Sequence, residues 1–109
     1  MAQKTDTLTI LSGQTESAEL VLHGAGGARA LSINIISPGT LPETVNIELG
    51  NGVGGTYGRL RSGATDIALA AGKSDMLDSI VAETFKLVAT GATAADRAFI
   101  IMRANRAYE

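Results

Sequence analysis

A chain of 109 residues has the length of a single domain, and the absence of cysteine excludes disulfides, thiolate metal sites and a cysteine nucleophile. Nine scattered basic residues against eleven acidic ones leave a formal charge of −2 and no basic footprint for nucleic acid. Thirteen glycines, two Tyr, two Phe and no Trp fit short strands joined by tight turns, with little aromatic surface for stacking bases or sugars. The polar start from Met1 to Asp6 lacks an apolar h-region, and no apolar run approaches the ~18 residues of a spanning helix. The chain is therefore expected to be soluble, with no membrane partner.

Residues 1–6 read as a flexible arm ahead of a single domain over 7–109. Thr7-Leu8-Thr9-Ile10-Leu11 alternates with period two and ends at the turn Ser12-Gly13. The stretch 17–23 alternates again, with Ala18, Leu20 and Leu22 on one face, and breaks at Gly24-Ala25-Gly26-Gly27. Leu31, Ile33 and Ile35 share a face of the third strand, which ends in a loop marked by Pro38 and Pro42. Val45, Ile47 and Leu49 alternate with Asn46 and Glu48, the cleanest half-buried pattern in the chain. After the glycine-rich turn 50–55, short strands are expected over 56–60 and 65–70, with Ile67 and Leu69 inward. Turn signals roughly every ten residues predict an all-β fold, a single small β-sandwich or barrel of about eight strands.

The stretch 74–88 fits two patterns. Leu77, Ile80, Val81, Thr84, Phe85 and Val88 lie on one helical face with Ser74 as a cap, while Phe85, Leu87 and Ala89 alternate as a strand would. The favoured reading is a short helical turn near 75–80 followed by a strand over about 83–90. A single amphipathic helix over 75–88 is the alternative.

Several motifs fail on chemistry. Gly50-Asn51-Gly52-Val53-Gly54-Gly55 matches G-x-G-x-x-G, but no helix pattern follows to receive a pyrophosphate, so it reads as a hairpin loop. Gly72-Lys73-Ser74 lacks the earlier glycine of a P-loop, because Ile67 occupies its place. His23 is the single histidine, which rules out a cage of histidines, and it reads as an exposed strand-end residue. Asp66, Asp75 and Asp78 have no EF-hand spacing and read as solvated surface. No catalytic, cofactor-binding or metal-binding residue is assigned, and the chain is expected not to be an enzyme.

Asp96-Arg97 differs in kind, because it sits where the small-residue loop 90–95 enters an apolar strand. Asp96 is expected to cap loop amides and Arg97 to reach a carboxylate or loop carbonyls, so that the charged pair pins the loop. The run Phe99-Ile100-Ile101-Met102 is apolar on both faces, whereas a strand of a small sandwich ordinarily has one wet face. It needs cover on both sides, and its four residues are the candidate subunit contact.

Four features stand in order along residues 8–103. Gly13-Gln14-Thr15-Glu16-Ser17 leads into an alternating strand, and the next strand ends at Ser37-Pro38. A further strand runs into a glycine-rich loop and Tyr57, and Thr93-Ala94-Ala95-Asp96-Arg97-Ala98-Phe99 enters the last strand. This order resembles a family of small structural proteins of tailed-phage virions. Its middle loop often reads Ser-x-Asp-Gly before the aromatic, from which Asn51-Gly52-Val53-Gly54-Gly55-Thr56-Tyr57 departs.

The resemblance implies a β-sandwich that decorates or cements a virion, bridging neighbouring copies of the major capsid protein, often as a homo-oligomer, with assembly in the host cytoplasm. Ala2, Gln3, Lys4, Thr5 and Asp6 are then the candidate capsid-contacting arm, from their position and not from a family motif. The alternatives are a tail-associated structural protein and a glycan-recognition β-sandwich module, the latter disfavoured by the scarcity of aromatic residues.

Overall fold

Eleven strands and no helix make up the described residues, 3–22 and 31–105, of the computed structural model. The first four are β1 (Gln3–Ile10), β2 (Leu20–Val21), β3 (Leu31–Ile36) and β4 (Val45–Gly50). Four short pieces follow: β5 (Tyr57–Arg59), β6 (Arg61–Ser62), β7 (Thr65–Asp66) and β8 (Ala68–Leu69). The chain closes with β9 (Ser74–Ile80), β10 (Thr84–Ala89) and β11 (Arg97–Asn105).

Two antiparallel sheets carry the fold. One has the order β1-β11-β3-β9, the other β2-β10-β4-β5 with β8 also paired to β4, and β6–β7 form a separate small hairpin. With β5 and β8 taken as one edge position, four strands face four, as the strand count from the sequence anticipated. The order is that of a jelly roll, a double-sheet way of arranging antiparallel strands. Period-two alternation supplies the layer between the sheets: Leu8, Ile10, Ile33, Ile35, Phe99 and Ile101 from the first sheet meet Val45, Ile47, Phe85 and Leu87 from the second. Each such buried side chain contributes about 1.5–3 kcal/mol.

The expected helical turn near 75–80 is a strand, β9, and so is the first half of the alternative helix over 75–88. The cause is a register shift against β3: Leu77 pairs with Ile33 but Ile80 pairs with Leu31, so three steps on β9 match two on its partner. Such a bulge inserts one residue and reverses the inward phase. Leu77 and Ile80 are thus both buried at a spacing of three, which imitates a helical face. The strand expected over 83–90 is present as β10.

The expected arm also needs correction. β1 begins at Gln3 and stays in continuous register with β11, from Gln3 opposite Ala104 to Ile10 opposite Arg97. Residues 3–6 are therefore sheet, tied further by Asp6, whose carboxylate lies 3.5 Å from the Arg103 guanidinium. Met1 and Ala2 lie outside the described residues. The second strand is shorter than its alternation implied, since only Leu20 and Val21 pair with β10, preceded by an isolated bridge between Glu16 and Val88. His23 and the glycine cluster after it also lie outside the described residues.

Candidate functional site

The two sheets turn very different outer faces to solvent. On the β2-β10-β4-β5 sheet, register sets Lys86 beside Glu48 and Glu48 beside Arg59. Lys86 Nζ lies 3.0 Å from Glu16 and 4.0 Å from Glu48, and Arg59 lies 3.1 Å from Glu48 and 3.4 Å from Asp66. The result is a ladder of alternating sign across the sheet. The hydrogen bond from Lys86 to Glu16 pushes the lysine pKa up against the effect of burial. Partly exposed pairs of this kind add little stability, but they commit the face to water.

At one end of the ladder the Lys86 ammonium stands 4.3 Å from the centre of the Tyr57 ring. The Tyr57 hydroxyl donates to Glu19 Oε2 at 2.6 Å, and the Gly54 N–H donates to the same oxygen at 2.9 Å. Those two donors, tyrosine first, hold the Glu19 carboxyl below its ordinary range. Burial, aided by Glu19, pushes the Tyr57 hydroxyl up. Glu19 thereby staples the glycine-rich loop onto the sheet.

The outer face of the β1-β11-β3-β9 sheet is built from uncharged residues. One cross-strand row reads Thr7, Ile100, Ile36, Ser74, and the next reads Thr5, Met102, Asn34, Met76. Thr9 with Ala98, and Ala104 with Ser32, extend the face at either end. Met76 is 64% exposed and Ile100 40%. Asp78 lies at the rim and accepts a hydrogen bond from Ser32 Oγ at 3.0 Å. A depression of about 220 Å³ lies among Ser32, Asn34, Met76, Met102, Arg103 and Ala104, below the ~300 Å³ at which small-molecule sites begin. The face is suited to another broad surface.

The candidate contact run divides between these environments. Phe99 and Ile101 are fully buried between the sheets, whereas Ile100 and Met102 lie on the uncharged outer face. Lys4, Thr5 and Asp6 belong to β1, with Thr5 on that same face. Asp96 accepts a hydrogen bond from the Ser12 N–H at 2.8 Å, and Arg97 pairs with Glu43 through Nε at 2.8 Å and Nη2 at 3.1 Å. Glu43 also accepts from the Ala94 N–H. The Arg97 hydrogen bonds, more than any other cause, bring the Glu43 carboxyl down to about 2, against the opposing effect of burial. This pair ties the loop before β11 to the loop before β4.

Sequence reasoning missed Glu43, Glu19, Ile36, Met76 and the threonines of β1 as parts of these arrangements. The alternation Thr5-x-Thr7-x-Thr9 was a usable signal, whereas nothing local marks Glu43 as the partner of Arg97. Among the described residues, no group of three or more His, Cys, Asp or Glu side chains converges as a metal site would.

Fold and surface together define a small jelly-roll sandwich with one charged and one uncharged outer face. No family model matches the sequence, and no curated protein does. Among solved structures, one described under the words "Bacillus endospore appendages form a novel family of disulfide-linked pili" is similar in fold, with a TM-score of 0.55. The match covers 95% of this chain and 87% of that one at 18% sequence identity. At that identity the likeness shows a shared β-rich fold.

Proposed function

We propose that this chain is a structural subunit without enzymatic activity, which works in many copies by laying the β1-β11-β3-β9 face against its neighbours. The observation that carries this reading is the contrast between the two outer faces. One is a continuous ladder of ion pairs, and the other has Ile100, Ile36, Met102 and Met76 among neutral threonines, serine and asparagine. Depletion of charge is the compositional mark of the centre of a protein–protein contact. The fold is one that viral capsid domains use, and the structure similar to this chain is of pili. A chain without cysteine has no disulfide with which to link copies, so its contacts would be non-covalent.

The finer reading is a decoration or cement protein of a tailed-phage virion, bound to the major capsid protein and assembled in the host cytoplasm. The order of sequence motifs supports it. Jelly rolls also serve lectins, but Phe85 and Phe99 are buried, and the Tyr57 ring is engaged by Lys86 and Glu19. Those aromatics offer no platform for a sugar.

The test measures mass in solution by light scattering, alone and after sedimentation with purified capsid shells, for the wild type and Ile100→Glu. The wild type is expected to assemble through this face or to sediment with shells in stoichiometric amounts, and the variant, its fold kept, to lose shell binding and any association made through this face. A wild type that stays monomeric and never binds shells refutes the reading, as does an Ile100→Glu variant that assembles normally.

A further inference from the structure

Three of the four sheet edges carry features that discourage pairing with another strand. β2 has two residues, and the β5/β8 edge is split into short pieces. β9 is bulged, sets Asp75 opposite the core residue Ile35, and carries Asp78 at the rim. β1 differs: eight residues in unbroken register with β11, without bulge or proline. Its one inward carboxylate, Asp6, is matched by Arg103.

The free edge of β1 can be assigned atom by atom. Ser37 donates its N–H to the Lys73 carbonyl at 2.9 Å, so position 37 of that chain segment faces β9 and Ile36 faces β11. Antiparallel ladders alternate, so Ile100, opposite Ile36, faces β3 and Ile101 faces β1. Asp6, opposite Ile101, then turns its backbone groups to β11, and Thr5, Thr7 and Thr9 turn theirs outward. Among the described residues no strand meets them.

We infer that this edge binds the β1 edge of a second copy, antiparallel, joining two β1-β11-β3-β9 sheets into one. The inference rests on the structural-subunit reading above and names its first partner. Self-pairing about a two-fold axis closes on itself and leaves no further β1 edge exposed. Charge selects the register. With Thr5 on the axis, Lys4 of each copy stands opposite Asp6 of the other, whereas a shift by one step sets Asp6 against Asp6. The joined sheet also carries the uncharged outer face without interruption from copy to copy.

The test uses Thr5→Pro and Thr5→Cys in the full chain. Thr5→Pro removes an N–H that faces the free edge and no bond to β11, the position at which a strand tolerates proline. The wild type is expected at about twice the 11.2 kDa chain mass by light scattering, and Thr5→Pro at the single mass with an unchanged circular dichroism spectrum. Thr5→Cys, otherwise free of cysteine, is expected to cross-link to its own copy on mild oxidation, since the Cα atoms of a hydrogen-bonded antiparallel pair lie about 5.5 Å apart, within the range of a disulfide. A monomeric wild type overturns the inference, and so does a dimer that survives Thr5→Pro while Thr5→Cys fails to cross-link. If either result comes with shell binding that Ile100→Glu abolishes, the structural reading stands and only the β1 pairing falls. Loss of fold in Thr5→Pro leaves the Thr5→Cys cross-link to decide.

Discussion

Ile100 and Ile101 are neighbours on β11 with opposite surroundings, and replacing each by alanine separates core from contact surface. Ile101 is fully buried, opposite Ile35 on one side and Asp6 on the other. Removing Cγ1, Cγ2 and Cδ1 forfeits about 0.8 kcal/mol per carbon, roughly 2.4 kcal/mol in transfer alone. The residual cavity in a central strand raises this to about 3–4 kcal/mol, within the range for such truncations. At about 4–8 °C per kcal/mol for a domain near this size, the midpoint of thermal unfolding should fall by more than 10 °C. Ile100 is 40% exposed and touches neighbours on one side of the sheet alone, so Ile100→Ala should cost less than about 1 kcal/mol in the isolated chain. Its loss should appear instead in association. Urea unfolding of dilute protein measures the first quantity, and light scattering across a concentration series measures the second. Equal destabilisation by the two substitutions in dilute monomer would refute the reasoning, since it would mean that the outer face is already covered within one chain.

Four further outcomes follow from the local geometry. Arg97 holds the Glu43 carboxyl down to about 2 from an ordinary 4.5, so the pair's contribution is fully present above about pH 4.5 and is lost as pH falls through about 2. Glu43→Gln should therefore unfold at a lower temperature than wild type at neutral pH, with the gap closing between pH 4.5 and 2 in a series of thermal melts. In Tyr57→Phe, Glu19 loses the donor that most lowers its pKa, so its carboxyl should titrate at higher pH by NMR and the Gly54 amide should exchange faster. Gly50→Ala places a Cβ 2.6 Å from both Thr84 Oγ1 and Tyr57 Cε2, an overpacking expected to cost about 1–3 kcal/mol in urea unfolding. Gly58→Ala meets nothing within 4 Å and should stay within about 0.5 kcal/mol of wild type.

Much of the fold was legible in local patterns. Alternation placed β3, β4 and β10, because a strand between two sheets must send every second side chain inward, and a continuous apolar run marked β11. It misled at β9, where the bulge gave Leu77 and Ile80 a helical spacing and hid Met76 as an outward residue. It also failed at the start, where Lys4, Thr5 and Asp6 read as polar arm but are held by the backbone of β11. The candidate site was half legible. Of the run 99–102 marked as a subunit contact, Phe99 and Ile101 are core and cannot serve as one, and Ile100 and Met102 alone lie on the outer face. The rest of the uncharged face comes from strands far apart in the chain.

What the sequence determined by itself is the all-β character, the inward faces of β3, β4 and β10, and the absence of any disulfide. Each follows from period, turn residues or composition, which act within a few residues. The tertiary structure decided which strands became edges, where the bulge reversed a face, and which carboxylate met Arg97. Those depend on pairing between segments tens of residues apart, such as Glu43 with Arg97 and β1 with β11. Two chemically opposite outer faces, one laced with ion pairs and one without charge, exist only once that pairing is made.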